Sequence, residues 1–304
     1  MPAVAVITRT RDRAMMLKRA GASVSGQTYR EFIWVIVNDS GDPAPVDAVA
    51  EDAKRQGVEV LVVHHAVSRG MEAASNLGIG KCESEFLVIH DDDDSWDPRF
   101  LETTVGYLQS ARGQIYGGVV THAVWVEEEI QPTGELRTLT EMHSNDGMRA
   151  VQLLDVAGTN PFPPISFLYR RAIYDLVGGY DESLPVLGDW DFNLKFLLHA
   201  DIGVITKPLA NYHHRVNAAG TSFENSLNQH AEYKAIFRNR LLRKDVASGQ
   251  YGLGHLVSVM SKLDELTKTV RYTDPGFVTR VISNLSSRAL QRVRNTVPFR
   301  RGGR

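Results

Sequence analysis

The segment Glu85–Pro98, "EFLVIHDDDDSWDP", joins a short apolar run to a dense cluster of acids. Its apolar part is typical of a buried strand. Five of the seven positions from 91 to 97 are aspartates. Adjacent carboxylates repel one another, and burying one without a partner costs several kcal/mol or forces it to take up a proton. We therefore expect positive charge at the end of this strand.

Apolar runs alternate with helical segments on the amino-terminal side of this cluster. The runs "AVAVIT", "EFIWVIV" and "VEVLVV" read as strands, and the residues between them place apolar side chains at helical spacing. This alternation predicts an α/β fold made of βαβ units, with a parallel sheet covered on both faces. Ligands of such sheets bind beyond the carboxyl ends of the strands. The polar residues at those ends are Thr8, Arg9, Asn38, Asp39 and the aspartates 91–94.

Composition narrows the class of protein. The chain has 304 residues, of which 43% are hydrophobic, and a formal net charge of -2. These values indicate a globular chain with one large or two modest domains. The charge balance disfavours nucleic acid as a partner, because a groove reader needs many phosphate contacts. The single cysteine, Cys82, excludes an internal disulfide and favours a reducing compartment.

Seven motifs that follow one another along the chain are each weak alone, but their order and spacing form a strong signal. They are "VITRTRDR", "GQTYREFIWVIVNDSGD", "SRGMEAASNLGI", "FLVIHDDDDSWDP", "VGGYDESL", "GDWDFNLKFL" and "YHHRVNAAGTS". Over about residues 4–222 the chain resembles the inverting glycosyltransferases of family 2. It departs from the family pattern at Asn38 and Ser40, which flank Asp39, and at Gly188, where an acid usually precedes the catalytic base.

The resemblance implies a GT-A fold, with a Rossmann-like, mostly parallel sheet flanked by helices. It implies a catalytic domain over residues 1–222, divided into a nucleotide-binding half (1–108) and an acceptor-binding half (109–222). Residues 223–304 are expected to form a helical carboxyl-terminal extension. The implied reaction moves a sugar from a UDP- or dTDP-type sugar nucleotide to a hydroxyl of a glycan or a lipid-linked acceptor, as in polysaccharide biosynthesis.

The aspartate run suits a divalent cation. The leaving diphosphate carries negative charge, and Mg²⁺ or Mn²⁺ prefers carboxylate, phosphate and water oxygens. Alternate residues of an extended segment point the same way, so Asp91 and Asp93 share one side, and Asp92 and Asp94 share the other. By resemblance, Asp93 is the metal ligand and Asp91 lies near the ribose or the metal, with Asp92 in the nucleotide-binding set.

The nucleotide end of the predicted cleft contains Thr8, Arg9 and Asp39. A carboxylate can accept the imide N–H of uracil or thymine, and the resemblance gives Asp39 this role. Arg9 and Arg69 can either contact phosphates or neutralise acids.

An inverting transfer also needs a general base for the acceptor hydroxyl. Asp189 and Asp191 are the candidates, and both precede an amphipathic segment where acids also favour a helix amino terminus. The resemblance places the base at Asp189, with Asp191 as its structural partner. Of the adjacent His213 and His214, at most one should face the cleft, since neighbouring strand residues point oppositely. We favour His214 as a ligand of the metal or the diphosphate.

The last thirty residues are basic. No acid follows Asp274, whereas seven arginines lie between 280 and 304. A basic amphipathic helix can bind an anionic membrane, and the alternatives are packing on the catalytic domain or a homodimer contact. The amino terminus lacks a signal-like pattern, and no window reaches the ~20 apolar residues of a membrane span. We therefore expect a cytoplasmic protein, and binding of the tail to a membrane is one of the alternatives left open.

Two other functions compete with glycosyl transfer. A nucleotidyltransferase can share the sheet and the acid pair, but it normally has a glycine-rich, Lys/Arg-containing signature after the first strand, and "TRTRDR" has no glycine. A non-catalytic module that binds a nucleotide or a cation would not need Asp189 in front of a helix.

Overall fold

The computed structural model describes residues 2–218, 221, 230–249, 252, 254, 257 and 259–263. The chain divides into two compact units, Met1–Lys234 and Ala235–Arg304. The domain boundary predicted between residues 222 and 223 lies outside the described residues, as does the basic tail after Asp274. Both predictions therefore remain predictions.

Strands and helices alternate through the first unit. The described strands are β1 (Val4–Thr10), β2 (Phe32–Asn38), β3 (Glu59–His64), β4 (Phe86–Ile89), β5 (Ser95–Trp96), β6 (Gly118–Ile130), β7 (Leu136–His143), β8 (Phe167–Arg170) and β9 (Ile202–Arg215). The described helices are α1 (Ala14–Ser25), α2 (Pro43–Arg55), α3 (Met71–Ile79), α4 (Phe100–Gln109), α5 (Leu153–Gly158), α6 (Arg171–Val177), α7 (Gly188–Leu197) and α8 (His230–Ala247). Short 3-10 turns occupy Gly113–Ile115 and Pro164–Ser166.

The strands form one mixed sheet in the order β3-β2-β1-β4-β8-β6-β9-β5, with β7 paired to β6. The first four strands in this order are parallel to their neighbours, as the βαβ reading predicts. Beyond β4 the sheet changes character, because β8 is antiparallel to both β4 and β6, while β6 and β9 run parallel. The expected parallel sheet is thus the amino-terminal half, and the carboxyl-terminal half is mixed.

The parallel strands read as continuous apolar runs because both of their faces are buried. On β1, Val4 and Val6 belong to one core cluster, whereas Ala5 and Ile7 belong to another on the opposite face. Helices α1, α2 and α4 contribute to the first cluster, and α3 and α7 contribute to the second. Burial on two faces removes the polar alternation of a half-exposed strand.

Helix α3 lies very close to the sheet at Gly78. A Cβ atom on Gly78 would lie 2.7 Å from Cγ2 of Ile7 on β1, a distance that real Cβ atoms do not tolerate. Glycine is therefore needed for this approach. The last turn of α3 thus packs directly on β1 and β2, while Glu72 in its first turn lies 3.8 Å from Arg9 at the carboxyl end of β1.

The carboxyl ends of β1, β2 and β4 meet at one edge of the sheet, as the register of these strands requires. Strand β5 pairs with β9, so the residues after β4 lie next to the end of β9. No helix among the described residues has both the length and the apolar character needed to cross a membrane.

Candidate active site

Asp91 and Asp92 have different cationic partners. Asp91 Oδ1 lies 2.9 Å from Nη2 of Arg9, whose Nη1 donates to Ser75 Oγ at 2.7 Å. Asp92 accepts hydrogen bonds from Thr10 Oγ1 at 2.7 Å and from Arg13 Nη1 at 3.1 Å. Burial raises the pKa of Asp91 despite Arg9, and it raises the pKa of Asp92 to about 6 despite Arg13. The positive charge expected at this strand end is therefore supplied by arginines.

Asp93 and Asp94 differ strongly although they are adjacent. Asp93 Oδ2 lies 3.2 Å from Arg13 Nη1 and also accepts a hydrogen bond from Arg215 Nη2. Burial opposes ionisation of Asp93, but Arg215 and Arg13 outweigh it and lower the pKa. Asp94 accepts the backbone N–H of His213 at 2.8 Å through Oδ1. Its pKa is raised well above the usual range, first by burial and then by Asp93. Asp94 thus ties the strand end to β9.

A buried network around Glu128 supports this edge of the sheet. Arg19 Nη1 donates to Glu128 Oε2 at 2.7 Å, and Nη2 of the same arginine donates to the backbone carbonyl of Asp93. The His213 ring bridges Glu128 Oε2 at 3.0 Å and Ser95 Oγ at 2.9 Å. Although burial acts in the opposite direction, the hydrogen bonds from His213 and Arg19 lower the pKa of Glu128 to about 2. No motif in the sequence predicts this network, because Arg19, Glu128 and His213 come from α1, β6 and β9.

The two adjacent histidines face opposite ways, as expected. His213 belongs to the Glu128 network, whereas His214 stacks on Trp125 with ring centroids 3.4 Å apart and meets the edge of Tyr212. Neither ring nitrogen of His214 has a hydrogen-bond partner among the described residues. Burial lowers the pKa of His214 to about 4, so the ring is neutral at physiological pH.

Asp39 organises the loop after β3. Its Oδ1 accepts from His65 Nδ1 and from the backbone N–H of Arg69, both at 2.9 Å. Its Oδ2 accepts from Ser68 Oγ at 2.5 Å and from the backbone N–H of Gly70 at 3.0 Å. Burial opposes ionisation, but these four hydrogen bonds lower the pKa of Asp39. His65, directly after β3, therefore contacts a candidate nucleotide-binding residue.

Two residues predicted to bind the nucleotide lie apart from the acids. Thr8 is fully buried, and its hydroxyl accepts a hydrogen bond from Nε1 of Trp34 at 2.8 Å within the core. Arg69 is exposed, and its side chain makes no hydrogen bond or ion pair with the described residues. Its backbone N–H, rather than its guanidinium, contacts Asp39.

Asp189 lies in the first turn of α7 and is held by an amide relay. Asn160 Nδ2 donates to Asp189 Oδ2 at 2.7 Å, and Asn193 Nδ2 donates to Asn160 Oδ1 at 3.0 Å. Asp191 is buried and pairs with Nζ of Lys195, one turn later, at 2.6 Å. The two candidate bases are therefore held differently, one by a neutral amide and the other by a cation.

A divalent cation has chemically suitable ligands here, although the described residues form no complete cage. No three His, Cys, Asp or Glu side chains among them converge as a metal site. Asp91 uses one oxygen for Arg9, and Asp93 uses one for Arg13 and Arg215, so the second oxygen of each accepts no hydrogen bond from the described part of the chain. Mg²⁺ is commonly bound by one or two carboxylates plus substrate phosphates. These two carboxylates fit that mode.

Comparison with known proteins shows the family of this chain. Residues 4–177, more than half of the chain, match the family described as Glycosyl transferase family 2. The chain belongs to this family. A relative in Bacillus subtilis (strain 168), the uncharacterized glycosyltransferase YwdF, is 23% identical over 83% of this chain and 85% of its own length. The pre-mycofactocin glycosyltransferase of Mycobacterium tuberculosis is 25% identical over 68% of this chain, which spans 41% of that relative.

Solved structures of similar proteins share the fold of this family 2 member. S. aureus TarS 1-349, solved also in complex with UDP and with UDP-GlcNAc, matches with a TM-score of 0.53 and 20% identity over 69% of this chain and 60% of that one. The mannosyltransferase PcManGT from Pyrobaculum calidifontis, solved with GDP-Man and Mn2+, matches with a TM-score of 0.53 and 18% identity over 72% of this chain and 58% of that one. The predicted family, GT-A fold and enzyme class, a glycosyltransferase, are confirmed.

Proposed function

We propose that the protein transfers a sugar, with inversion at the anomeric carbon, from a UDP- or dTDP-type sugar nucleotide to a hydroxyl of a glycan or lipid-linked acceptor. One observation carries the proposal: the aspartates after β4 and the aspartate at the start of α7 act on the same groups. The charge of Asp189 raises the pKa of Asp91, after the larger effect of burial, and Asp91 and Asp189 both raise the pKa of Arg9 against its burial. Donor-side and acceptor-side acids therefore share one cleft.

The donor's diphosphate belongs at the end of β4 in this proposal. Asp91 and Asp93, with the neutral ring of His214 as a third ligand, would hold a divalent cation, Mn²⁺ or Mg²⁺. When bound, that cation supplies positive charge to the leaving diphosphate. Arg13 and Arg215 keep Asp93 ionised in spite of its burial, whereas Arg9 only partly offsets the burial that raises the pKa of Asp91. A bound cation would favour the ionised form of Asp91.

Asp189 is the proposed base, and its neighbours support this choice over Asp191. Asp191 is 2% exposed and its carboxylate is paired with Lys195, whereas Asp189 is half-buried and more open to an acceptor. Asn160 orients the Asp189 carboxylate through a hydrogen bond from its side-chain amide. In the transfer, Asp189 takes the proton of the acceptor hydroxyl as its oxygen attacks the anomeric carbon from the face opposite the nucleotide. The bond to the diphosphate breaks and the nucleoside diphosphate leaves.

Asp39 has a further requirement if it binds the base of the nucleotide. An ionised carboxylate offers about four acceptor positions, and the loop donors occupy four. An imide N–H can bind only if one of those donors leaves. Nucleotide binding through Asp39 would therefore displace either the His65 ring or one of the donors in residues 68–70, which precede the first turn of α3.

The proposal is tested by donor screening followed by a matched pair of variants. Nucleotide release should depend on one sugar nucleotide and on Mn²⁺ or Mg²⁺, and NMR of the product should show an inverted anomer. Asp189→Asn should keep donor affinity within a few-fold and lower turnover by about 10²-fold, the effect of losing a general base. Asp191→Asn should affect stability more than turnover, since it removes the Lys195 ion pair.

Three results would contradict parts of this proposal. A retained anomer would exclude the single-displacement mechanism. Full activity in EDTA would exclude the metal. Normal turnover of Asp189→Asn with a large loss in Asp191→Asn would move the base to Asp191.

A further inference from the structure

Glu72, in the first turn of α3, is a buried acid to which the proposed mechanism gives no role. It is 5% exposed, and neither of its carboxyl oxygens accepts a hydrogen bond from the described residues. The nearest cationic atom is Nη1 of Arg9, at 3.8 Å from Oε2. Buried carboxyl groups are normally hydrogen-bonded or paired closely, because desolvation is costly. Such a group requires an explanation.

The position of Glu72 is set by a glycine on another helix. A Cβ atom on Gly188 would lie 2.3 Å from both Cδ and Oε1 of Glu72 and 2.7 Å from its Cγ. The carboxyl group of Glu72 therefore occupies the space that a side chain at position 188 would fill. Gly188 does not have a left-handed backbone conformation, so its backbone accepts other residues. What excludes a side chain there is Glu72 itself.

This space adjoins both halves of the cleft. Gly188 directly precedes Asp189 and begins α7, whose amino terminus favours nearby negative charge. On its other side, Glu72 faces Arg9, which lies between it and Asp91. The Glu72 carboxyl group therefore lies against the backbone next to Asp189, the proposed base. It also lies near Arg9, which pairs with Asp91 on the donor side.

We infer that Glu72 is a positioning residue of the transfer reaction, supplying from α3 the carboxyl group beside Asp189 that position 188 lacks. This inference rests on the proposed function. Glu72 keeps Arg9 between itself and Asp91 and fixes the start of α7 against α3. The acceptor hydroxyl then meets Asp189 in a defined orientation, whereas the donor is held mainly by other residues. Loss of the carboxyl group should therefore lower kcat more than it raises the KM for the donor.

Burial is the main reason that the pKa of Glu72 is raised, to about 7, with Arg9 acting against it and Asp189 and Asp91 adding to it. This agrees with a group that lies among the acids of the cleft. A simpler interpretation also exists, because first-turn acids stabilise their own helix. The experiment must separate the two.

The first test compares two first-turn glutamates. Glu72→Gln keeps the size of the side chain and should lower kcat by at least tenfold, with the donor KM changed less than threefold. Glu102→Gln removes an exposed first-turn acid of α4 and should leave both constants unchanged. Unchanged kcat in Glu72→Gln would overturn the inference. A wild-type protein that transfers no sugar from any donor would refute the proposed function as well, so the two failures are distinguishable.

The second test moves the carboxyl group to the other helix. Glu72→Ala empties the space, and Gly188→Asp then puts a carboxyl carbon one bond beyond a Cβ that lies where Glu72 had been. The double variant Glu72→Ala/Gly188→Asp should recover kcat to within about fivefold of the wild type, whereas Glu72→Ala/Gly188→Asn, of equal size, should not. Equal recovery by Asn would make Glu72 a space-filling residue and overturn the inference, as would recovery by neither. Circular dichroism and melting temperatures confirm folding in each variant.

Discussion

Two buried glutamates of the same unit have opposite surroundings. Glu128 is 2% exposed and has a pKa of about 2, whereas Glu72 is 5% exposed and has a pKa of about 7. Burial raises the pKa of both groups. Glu128 overcomes it through close hydrogen bonds from Arg19 and His213, but Glu72 has only Arg9 at 3.8 Å. The surroundings of a buried acid, rather than its burial, decide its charge.

The contrast between Glu128 and Glu72 separates acids that stabilise the fold from acids that we propose to act in the reaction. Asp93, a proposed metal ligand, is paired with arginines, and so is Glu128. Asp189, the proposed base, accepts a hydrogen bond from the Asn160 amide, and Glu72 accepts none from the described residues. The arginines therefore lower the pKa of Asp93 and of Glu128, whereas Arg9 does not offset the burial of Glu72.

Among the ion pairs around Asp93 and Glu128, the largest effect on stability is expected from the loss of Arg215. Its side chain is fully buried and contacts Asp93 and Glu128, so Arg215→Met leaves buried acids without part of their compensation. We expect a loss of about 3–5 kcal/mol in the free energy of unfolding, as when one partner of a buried ion pair is removed. Urea denaturation at pH 7 measures it.

Two variants control this experiment. Arg215→Lys keeps the charge but loses the forked geometry, and should lose less stability. Arg215→Met/Asp93→Asn should recover part of the loss, because it also removes one of the acids. A loss below about 1 kcal/mol in Arg215→Met, the value of an exposed pair, would show that this region is not maintained by its charges.

A smaller effect should appear in the pH dependence of Glu128. Its folded-state pKa of about 2 is below the unfolded value, so its stabilisation is complete above about pH 5 and is lost as the pH falls toward 2. The lowered pKa corresponds to about 3 kcal/mol. The stability deficit of Glu128→Gln relative to the wild type should therefore shrink between pH 6 and pH 3. A constant deficit over this range would contradict the assignment of the lowered pKa to Glu128.

Much of the donor half could be predicted from the sequence, for a physical reason. Strands β1 to β4 are contiguous apolar runs separated by helices, and parallel pairing places their carboxyl ends at one edge. The cluster at Asp91–Asp94 and its need for positive charge follow from that. Which arginines supply the charge does not, because "TRTRDR" offers Arg9, Arg11 and Arg13 at equal spacing and only Arg9 and Arg13 pair with the aspartates.

The acceptor side was less predictable because its contacts join distant segments. Asp189 could be proposed from its place before a helix, but Asn160 comes from a loop that has no periodic pattern. Glu72 and Gly188 are 116 positions apart and become neighbours only through the packing of α3 and α7. For Thr8 the sequence was misleading. Its position near the end of β1 predicted a place in the cleft, but the pleat of the strand turns its side chain into the core.

An effect of the opposite sign is expected at Glu72. Its folded-state pKa of about 7 is above the unfolded value, so the native state holds a proton that the unfolded state has lost between about pH 4.5 and 7. The wild type therefore loses stability as the pH rises through this window. Glu72→Gln cannot ionise, so it should be more stable than the wild type by about 3 kcal/mol at pH 8 and nearly equal to it at pH 4.5. Urea titrations at the two pH values measure this, with Glu102→Gln as the exposed control that should show no such crossover. If Glu72→Gln is less stable than the wild type at pH 8, Glu72 is ionised and well paired in the folded protein, and the contrast with Glu128 disappears.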